Sequence, residues 1–430
     1  MVAKCRPAVH MYCGCLLAWV ALPVTCVCQG ASAIVSVSLP INDMVYDPVS
    51  NRILASVPSS AGPLRGNTIT PIDPQTGALG DSVFVNSEPT ILALADDGSR
   101  VYVASDTTNY VTPFSLTTMT AENPFAIGDV NRRVSDMSVP PGHPDKLAVS
   151  RRVLNQSPNG AGVAIYVDGV RMPKESSDLA TNDILQFGTS PNILYGHVNS
   201  LSSYDFNTNT IDLSPGEGYL GNNEVKHMLT KGGMNMKYDN GRMYFTNGQV
   251  VNPTVPAPLG QFSADGAFEP VAELGRTFFV VGDELRAYSQ ATFVKVGEMT
   301  IPGLVGTARD VISLGNAGLA VRTTADRLYI IHGIPGDYDI DGTVSHEDYL
   351  LWKSGYGSEE LPDLDGNGDG AVNAADYTIW RNNLGTTLGG PLVVAPSASI
   401  VPEPSTLSLA LLVAIGIACR PRYRQLIIAI

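Results

Sequence analysis

Cysteine is absent from the body of this chain. All six cysteines of the 430-residue sequence lie near its ends, five of them before residue 29 and the sixth at position 419. Residues 34–400 therefore contain no thiol nucleophile and no zinc–thiolate site, and no disulfide can crosslink them. Their stability must come from a large apolar core, which the 44% apolar composition allows, or from bound metal.

Basic residues are also scarce. The sequence has 27 Lys and Arg against 41 Asp and Glu, which gives a formal net charge of −14, and no basic stripe is present. We therefore expect no nucleic-acid partner. Eleven of the acidic residues, accompanied only by Lys353 and Arg381 as cations, fall between residues 337 and 385. The acidity is thus concentrated in one short stretch.

Helical periodicity is nearly absent between residues 34 and 333. Short apolar runs alternate with Gly, Pro, Asn and Asp turns, which is typical of an all-β fold. In the clearest unit two apolar runs flank Asp96-Asp97-Gly98-Ser99, and a third run follows at residues 110–114. This order of strand, tight turn, strand, loop and strand is the pattern of a propeller blade.

The unit recurs along this region. Paired apolar runs lie near residues 44–57, 137–149, 184–195, 234–245, 271–281 and 311–331. Seven units of about 43 residues predict a seven-bladed β-propeller over residues 34–333, with six or eight blades as alternatives. The sixth unit is expected to begin with a strand at Val271-Ala272-Glu273-Leu274. Because a propeller closes its ring, we expect residues 34–38 to pair beside the last blade near residues 328–331.

Residues 94–103 resemble the YVTN and lactonase-like β-propellers, which implies the fold and leaves enzymatic activity open. Acidic residues precede several inner strands, where carboxylates at a channel mouth could hold a cation or act as a general base. We favour the alternative that they cap turns where strands begin. No histidine cluster and no Ser–His–Asp order accompanies them, so no catalytic residue is predicted. These acidic residues are Asp43, Glu88, Asp136, Asp183 and Asp310.

Two copies of one acidic sequence follow the β-rich region. Residues 337–348 read DYDIDGTVSHED and residues 365–376 read DGNGDGAVNAAD, an offset of 28 residues. Each copy continues into a similar aromatic run, DYLLWK and DYTIWR, and each ends on a glycine. Two acidic surface turns are the alternative interpretation, but the repetition in phase favours a metal site.

The spacing matches a twelve-residue calcium loop, which supplies oxygens from positions 1, 3, 5, 7, 9 and 12 and needs glycine at position 6. Gly342 and Gly370 occupy position 6, and Val344 and Val372 at position 8 are expected to point inward and pair the two loops. Position 7 would contribute its carbonyl, and position 9 a direct or water-bridged contact. The predicted ligands of two Ca²⁺ ions are Asp337, Asp339, Asp341, Thr343, Ser345 and Asp348, and then Asp365, Asn367, Asp369, Ala371, Asn373 and Asp376.

Pro335-Gly336 directly precedes the first loop, so a helix can follow each loop but none can lead into the first. Position 12 is aspartate in both copies. In this combination residues 334–386 resemble the type I dockerin module, a small α domain. The resemblance implies two loop–helix repeats related by a pseudo-twofold axis, and a cohesin as partner. It also implies a shared core of Tyr349, Trp352, Tyr377 and Trp380 with Leu351 and Ile379.

Loop positions 10 and 11 carry much of the partner recognition in dockerins. Here they are His346-Glu347 and Ala374-Ala375, which differ from each other and lack the usual pair of hydroxyl groups. The sequence therefore leaves the protein partner of this module open, with a cohesin as one candidate.

Both ends of the chain are typical of targeting segments. Residues 1–33 have an early positive charge, an apolar run and the small residues Ala31-Ser32-Ala33, which predicts a secretory signal peptide cleaved after Ala33. A membrane anchor is the alternative, although the run is short for a span.

After a linker at residues 387–400, residues 401–430 resemble the PEP-CTERM sorting signal. Pro402-Glu403-Pro404 is followed by an apolar run over residues 407–419 and by three arginines. The resemblance implies cleavage by an exosortase-type enzyme, with the apolar run held transiently in the inner membrane. A plain C-terminal transmembrane anchor is the alternative.

Together these features predict a mainly β, exported protein of the cell envelope, cell surface or extracellular matrix. We expect a non-catalytic binding or adhesion protein whose calcium module docks it to a partner, with polysaccharide breakdown suggested by the dockerin analogy. One alternative is an extracellular hydrolase or lactonase with its active site in the propeller channel. Another is a structural component of a surface layer.

Overall fold

The computed structural model describes residues 34–157, 159–177, 182–198, 204–315, 318–359, 361, 364–367 and 369–387. The predicted signal peptide with Ala33, most of the linker, and the sorting motif Pro402-Glu403-Pro404 with its apolar run lie outside these residues. Within the described part of the chain, no helix has both the length and the apolar character needed to cross a membrane.

The β-rich region folds into seven antiparallel sheets, each of which is one blade of a propeller. Strand β1 (Ile34–Ser38) belongs to the last blade. Blade one contains β2 (Asp43–Asp47), β3 (Arg52–Val57), β4 (Thr68–Ile72) and β5 (Val83–Phe84). Blade two contains β6 (Pro89–Leu94), β7 (Arg100–Ser105), β8 (Tyr110–Ser115), β9 (Thr120–Ala121) and β10 (Phe125–Ala126). Blade three contains β11 (Arg132–Ser138), β12 (Lys146–Val153), β13 (Gly160–Val167) and β14 (Val170–Arg171).

The remaining blades follow the same order from the inner to the outer strand. Blade four contains β15 (Ile184–Phe187), β16 (Ile193–His197), β17 (Phe206–Asp212) and β18 (Gly218–Val225). Blade five contains β19 (Met236–Asp239), β20 (Arg242–Phe245), β21 (Gln249–Asn252) and β22 (Ala257–Gln261). Blade six contains β23 (Ala267–Val271), β24 (Arg276–Val281), β25 (Glu284–Ser289) and β26 (Lys295–Thr300), and blade seven contains β27 (Ala308–Ser313), β28 (Leu319–Thr323) and β29 (Arg327–Ile331).

The ring closes through its first strand. β1 pairs antiparallel with β29, with Ile34 opposite Ile331 and Ser38 opposite Arg327. The N-terminal strand thus becomes the outer strand of blade seven, and its Val37 is buried between blades seven and one. The predicted blade number of seven and the predicted closure are both confirmed.

The core of the propeller lies between the blades. Seven apolar clusters each join two neighbouring blades, including the pair formed by blades seven and one. Because the second strand of each blade is covered on both faces, it has nearly continuous apolar residues instead of an alternating pattern, as in β3 and β7.

The prediction for the sixth blade was wrong in its position. The inner strand is β23 (Ala267–Val271), and Ala272–Leu274 forms a short 3-10 turn that ends at Gly275 with φ 60°. The strand contains Glu269 and Pro270, whose low strand propensity hid it, while the apolar residues of the turn imitated a strand. A second 3-10 turn spans Ser59–Ala61.

Two helices follow the two acidic loops, as the repeat predicts. Helix α1 spans His346–Gly355 and helix α2 spans Ala374–Asn383. Ser345 and Asn373 cap their N-termini, and each forms a capping box with the aspartate three residues later. The chain enters the first loop from β29 through a short turn, without a preceding helix.

Candidate metal centre and the propeller channel

Three carboxylates converge in the first acidic loop, residues 337–348. Asp337, Asp339 and Asp341 each place one carboxylate oxygen so that all three atoms lie within 4.8 Å of one another. The Asp337 carboxylate accepts hydrogen bonds from the N–H groups of Asp341 at 3.2 Å and Gly342 at 3.0 Å. Gly342 has φ 86°, so glycine provides the sharp turn that brings these groups together.

The second loop, residues 365–376, repeats this arrangement. The Asp365 carboxylate accepts hydrogen bonds from the N–H groups of Asp369 at 3.2 Å and Gly370 at 2.7 Å, and Gly370 has φ 91°. The side-chain oxygen of Asn367 accepts from the N–H of Asp369 at 3.0 Å, the counterpart of the bond that Asp341 donates to Asp339. The two loops therefore share these hydrogen bonds and the positive φ of the glycine at position 6.

The closing aspartates of both loops are fully buried. The Asp348 carboxylate accepts from the N–H groups of Tyr338 at 2.6 Å, Asp339 at 3.1 Å and Ser345 at 2.7 Å, which ties the start of the loop to its end. The Asp376 carboxylate accepts from loop positions 3 and 9 of the second copy at 3.2 and 2.7 Å. Such bonds are needed because a buried carboxylate without partners is strongly unfavourable.

Negative charge is crowded in the first loop. Burial, followed by repulsion from Asp348, Asp339 and Asp341, raises the pKa of Asp337 to about 7. Burial, followed by repulsion from Asp348 and Asp341, also raises the pKa of Asp339. In the second loop the side-chain amides of Asn367 and Asn373 instead lower the pKa of Asp369. The protein groups alone therefore leave the first loop short of positive charge.

The residues of the first loop fit a calcium ion. Oxygens bound to one Ca²⁺ at about 2.3–2.6 Å can be at most about 5 Å apart, and the three converging carboxylate oxygens satisfy that limit. All predicted donors are oxygen atoms, which hard cations prefer. Thr343, predicted to offer its carbonyl, is oriented by its own N–H, which donates to the Asp341 carboxylate at 2.8 Å.

Position 9 has a role that the sequence analysis missed. The Ser345 hydroxyl accepts from the N–H of Glu347 at 3.1 Å, and the Asn373 side-chain oxygen accepts from the N–H of Ala375 at 2.8 Å. The amide nitrogen of Asn373 donates to the Ala371 carbonyl at 3.0 Å and to a neighbouring carboxylate. The signal was available, because Ser-x-x-Asp and Asn-x-x-Asp before an aromatic run predict a helix N-terminus.

The core beneath the loops contains the predicted aromatic residues. Trp380 is buried, and Tyr349, Trp352 and Tyr377 pack against the same cluster, with ring centroids of neighbouring pairs 5.0–6.2 Å apart. Leu351 was wrongly assigned to this core: it lies on the opposite face of α1 from Tyr349 and is 37% exposed. Ile379 is half-buried and is likewise not among the residues of this cluster. The core instead includes residues from outside the helices, namely Ile334, Tyr338, Val344, Leu364 and Val372.

The two valines at loop position 8 are buried, as predicted, but their backbones do not pair with each other. Val344 donates its N–H to the Thr386 carbonyl at 2.9 Å and accepts from the Gly385 N–H at 2.8 Å. Val372 forms the corresponding bonds with residues 357 and 358 at 2.8 and 2.9 Å. Each loop is therefore paired with the segment that leaves the other repeat's helix, because glycines with φ 87° and 85° turn the chain back there.

The channel carboxylates of the propeller connect neighbouring blades. Asp43 accepts hydrogen bonds from the N–H of Met44 at 2.9 Å and from the N–H of Leu92, in the inner strand of the next blade, at 2.8 Å. Asp136 accepts the same two types of bond, from the next residue at 2.9 Å and from Leu185 at 2.7 Å. These aspartates therefore do not cap turns, as the favoured interpretation held, but bridge inner strands.

A half-buried lysine lies among the other channel carboxylates. The Lys237 ammonium is 2.8 Å from Glu269, 3.1 Å from Asp310 and 2.5 Å from the Val311 carbonyl. Glu269 also accepts the N–H of Ser313 at 3.0 Å. Lys237 was not singled out from the sequence, where a lone lysine in a strand carries no signal.

Burial perturbs several of these groups. It raises the pKa of Asp43 to about 6 and that of Asp136 to about 7, despite the backbone hydrogen bonds that oppose it. Burial also raises the pKa of Glu269. Burial alone would lower the pKa of Lys237, but the carboxylates of Asp310 and Glu269 outweigh it and raise that pKa.

Two further acidic residues from the predicted set, Glu88 and Asp183, lie near the starts of inner strands β6 and β15. The Glu88 carboxylate, on a residue with φ 49°, contacts the N–H and hydroxyl of Ser59 in blade one. Asp183 lies just before β15, and its N–H donates to the His197 carbonyl at 2.9 Å.

Residues of the first four blades form a depression. Where the inner strands of blades one to four end, Pro48, Leu94, Val139 and Phe187 line a depression of about 330 Å³ together with Asp96. A concave surface that combines apolar side chains with a few polar groups is typical of ligand-binding sites.

A second groove of about 600 Å³ lies at the edge of blades two and three. Its lining includes Arg100, Tyr102, Phe125 and Asp168. Arg100 forms an ion pair with Glu122 at 3.1 Å and lies 5.9 Å from the Tyr102 ring centroid. The charged groups of this groove are thus paired with one another.

Known proteins resemble this chain in fold only. No family model and no curated protein matches it. The solved β-propeller domain of Cps50 (Swd1) from Myceliophteria thermophila is 11% identical, with a TM-score of 0.52 over 69% of this chain and 97% of that one. Hydrazine synthase from Kuenenia stuttgartiensis is 14% identical, with a TM-score of 0.45 over 59% and 78% of the two chains. The likeness to the Cps50 (Swd1) domain shows the fold alone, and the fold of residues 34–331 is a seven-bladed β-propeller.

Proposed function

We propose that this protein is an exported binding protein in which a β-propeller is joined to a dockerin-like module folded by two calcium ions. The supporting observation is the repetition of one loop geometry 28 residues apart, with the same hydrogen bonds to the carboxylates at positions 1 and 12. Acidic surface turns would have no reason to bury an aspartate completely in both copies, as Asp348 and Asp376 are.

Calcium titration tests the metal part of the proposal. Calorimetry on the exported chain, stripped of metal, should give two Ca²⁺ per chain. Asp337→Ala and Asp365→Ala should each remove one of the two ions, because each deletes the position-1 carboxylate of one loop. Glu359→Gln is the matched control, since Glu359 is exposed and occupies no ligand position. If the wild type took up no ion at millimolar calcium, the proposal would fail.

For the propeller, we propose binding and not catalysis. The channel carboxylates of Asp43 and Asp136 use both oxygens on backbone N–H groups, which supports a structural role even though their raised pKa values resemble those of general bases. The depression bounded by Leu94, Val139 and Phe187 is the binding face we favour. Hydrolase or lactonase activity abolished by Asp136→Asn would overturn this assignment.

Export and sorting rest on the sequence features alone. We propose that the chain is cleaved after Ala33 and near Pro402-Glu403-Pro404, so that it reaches the cell envelope or the extracellular matrix. Mass spectrometry of the exported protein would give both termini. A mature chain that retained residues 401–430 would favour the plain membrane anchor, and a surface-layer role would show as ordered self-assembly in calcium.

A further inference from the structure

The first acidic loop, residues 337–348 (loop one), packs against the propeller, whereas the second, residues 365–376, is loop two. In loop one Asp339 and Ile340 are half-buried and Gly342 is buried. At the equivalent positions 3 and 6 of loop two, Asn367 and Gly370 are exposed, and nothing lies within 4 Å of where a side chain on Gly370 would begin. Two loops with nearly the same sequence pattern are therefore in different surroundings.

The contact is made by the outer strand of blade six. Gly297 in β26 lies so close to loop one that a Cβ atom there would overlap the carbonyl oxygen of Asp339 and lie 3.0 Å from that of Ile340. No side chain larger than hydrogen can occupy position 297 while loop one keeps this place.

Ile340 adds a second contact. It occupies loop position 4 with φ 60°, a left-handed conformation that β-branched residues adopt only when the surrounding structure imposes it. Its side chain packs against the buried cluster between blades six and seven, which includes Ile331 and Val311. The second loop has glycine at the same position, Gly368, a residue that adopts this conformation without strain.

We propose that the ion of loop one connects the calcium module to the propeller, whereas loop two binds its ion independently of the propeller. The inference rests on the proposed calcium function. The Asp339 carboxylate is one of the three that converge and would hold the ion, and its carbonyl oxygen lies against Gly297. The same loop conformation would therefore serve both the ion and the contact with blade six. Binding and docking then stabilise each other reciprocally.

A glycine substitution on the propeller tests this coupling without touching a ligand. In Gly297→Val the loop must move away from blade six, and we expect the affinity of one of the two calcium sites to fall about tenfold or more while the other is unchanged. Gly221→Val in β18 is the matched control, because it lies on another outer strand with nothing within 4 Å. Repeating the titration in the Asp365→Ala background identifies the weakened site as loop one.

Three further variants test the coupling through the thermal stability of the propeller. Calcium should raise the unfolding temperature of the propeller, and Asp337→Ala should abolish that rise while Asp365→Ala preserves it. Ile340→Gly should retain two bound ions but lose most of the rise, because the packing against blades six and seven is gone.

The outcomes separate the two proposals. Two ions bound with unchanged affinities in Gly297→Val, together with an unchanged calcium-dependent rise in Ile340→Gly, would overturn the coupling and leave the calcium function intact. No ion bound by the wild type would overturn both.

Discussion

The indole Nε1 of Trp352 donates a hydrogen bond of 2.9 Å to the carbonyl oxygen of Asn373. At the equivalent place in the other repeat, Trp380 donates to the carbonyl oxygen of Ser345 at 2.6 Å. Each tryptophan reaches from its own helix to the residue that caps the other helix. Each loop–helix repeat thus donates one hydrogen bond to the other, and neither repeat is complete without the other.

We predict that chelation unfolds the calcium module and leaves the propeller folded. The crowded carboxylates of loop one repel one another without a cation, so metal binding and folding should be coupled. Beyond residue 33 the tryptophans of the chain are Trp352 and Trp380, so tryptophan fluorescence reports on the module. Excess chelator should shift the emission towards that of exposed indole, while the far-ultraviolet signal of the β-sheets persists. Unchanged emission in excess chelator would contradict this prediction.

We predict that Trp352→Phe destabilises the calcium-loaded module by about 1 kcal/mol, because it keeps an aromatic ring but removes the hydrogen bond to Asn373. Denaturant unfolding followed by the fluorescence of the remaining tryptophan measures the change. Leu350→Ala, at a 51% exposed position of the same helix, is the control and should have little effect. A loss in the control as large as that in Trp352→Phe would argue against a specific role for the indole.

We predict that Asp136 makes the propeller less stable as the pH rises from about 4 to about 7. Burial raises its pKa from 3.8 in the unfolded chain to about 7 in the folded protein, so in this interval the folded state holds a proton that the unfolded state lacks. The contribution is fully present below pH 3.8 and is lost as the pH rises through 7, with a slope of at most about 1.4 kcal/mol per pH unit.

Asp136→Asn should flatten this dependence of the unfolding free energy on pH, whereas Asp129→Asn, at an exposed position, should not. The measurements belong in saturating calcium, so that the acidic loops do not contribute. The same pH dependence in the wild type and in Asp136→Asn would show that the pKa of Asp136 is not raised in the folded protein.

We predict that Val37→Ala destabilises the propeller by about 2 kcal/mol. Val37 lies in the closing strand β1 and is buried in the cluster between blades seven and one. Val255→Ala, at a 69% exposed position, should change little. Removal of residues 34–38 should have a larger effect, because it leaves β29 as an open edge and invites aggregation. A truncated chain that stayed monomeric and equally stable would mean that β1 does not close the ring.

Local patterns predicted local structure well. The turn signal at residues 96–99 lies between β6 and β7, and the two acidic loops begin, turn and pass into their helices where the spacing required. The closing strand was also predictable, because a propeller must pair its last edge and an apolar strand, residues 34–38, directly precedes blade one. The prediction failed at blade six, because Glu269 and Pro270 give β23 a low strand propensity. Glu269 lies there because its carboxylate accepts a hydrogen bond from Lys237.

Contacts between distant residues were not predictable. The sequence showed acidic residues before inner strands but not that Asp43 bridges to Leu92, because the direction of a side chain across a channel depends on how two blades pack. The pairing of Val344 with Thr386, and not with Val372, depends likewise on how the two repeats pack against each other.

What this sequence determined by itself is the order of its parts and the chemistry of its loops. Twelve consecutive residues carry the oxygens that one hard cation requires, so their spacing alone predicts the site. Only the tertiary structure decided that the two loops differ, because Gly297 and Ile340 are far apart in the chain and meet through the packing of blade six against loop one. Short-range geometry is encoded in neighbouring residues, whereas such an interface exists only when separate elements pack together.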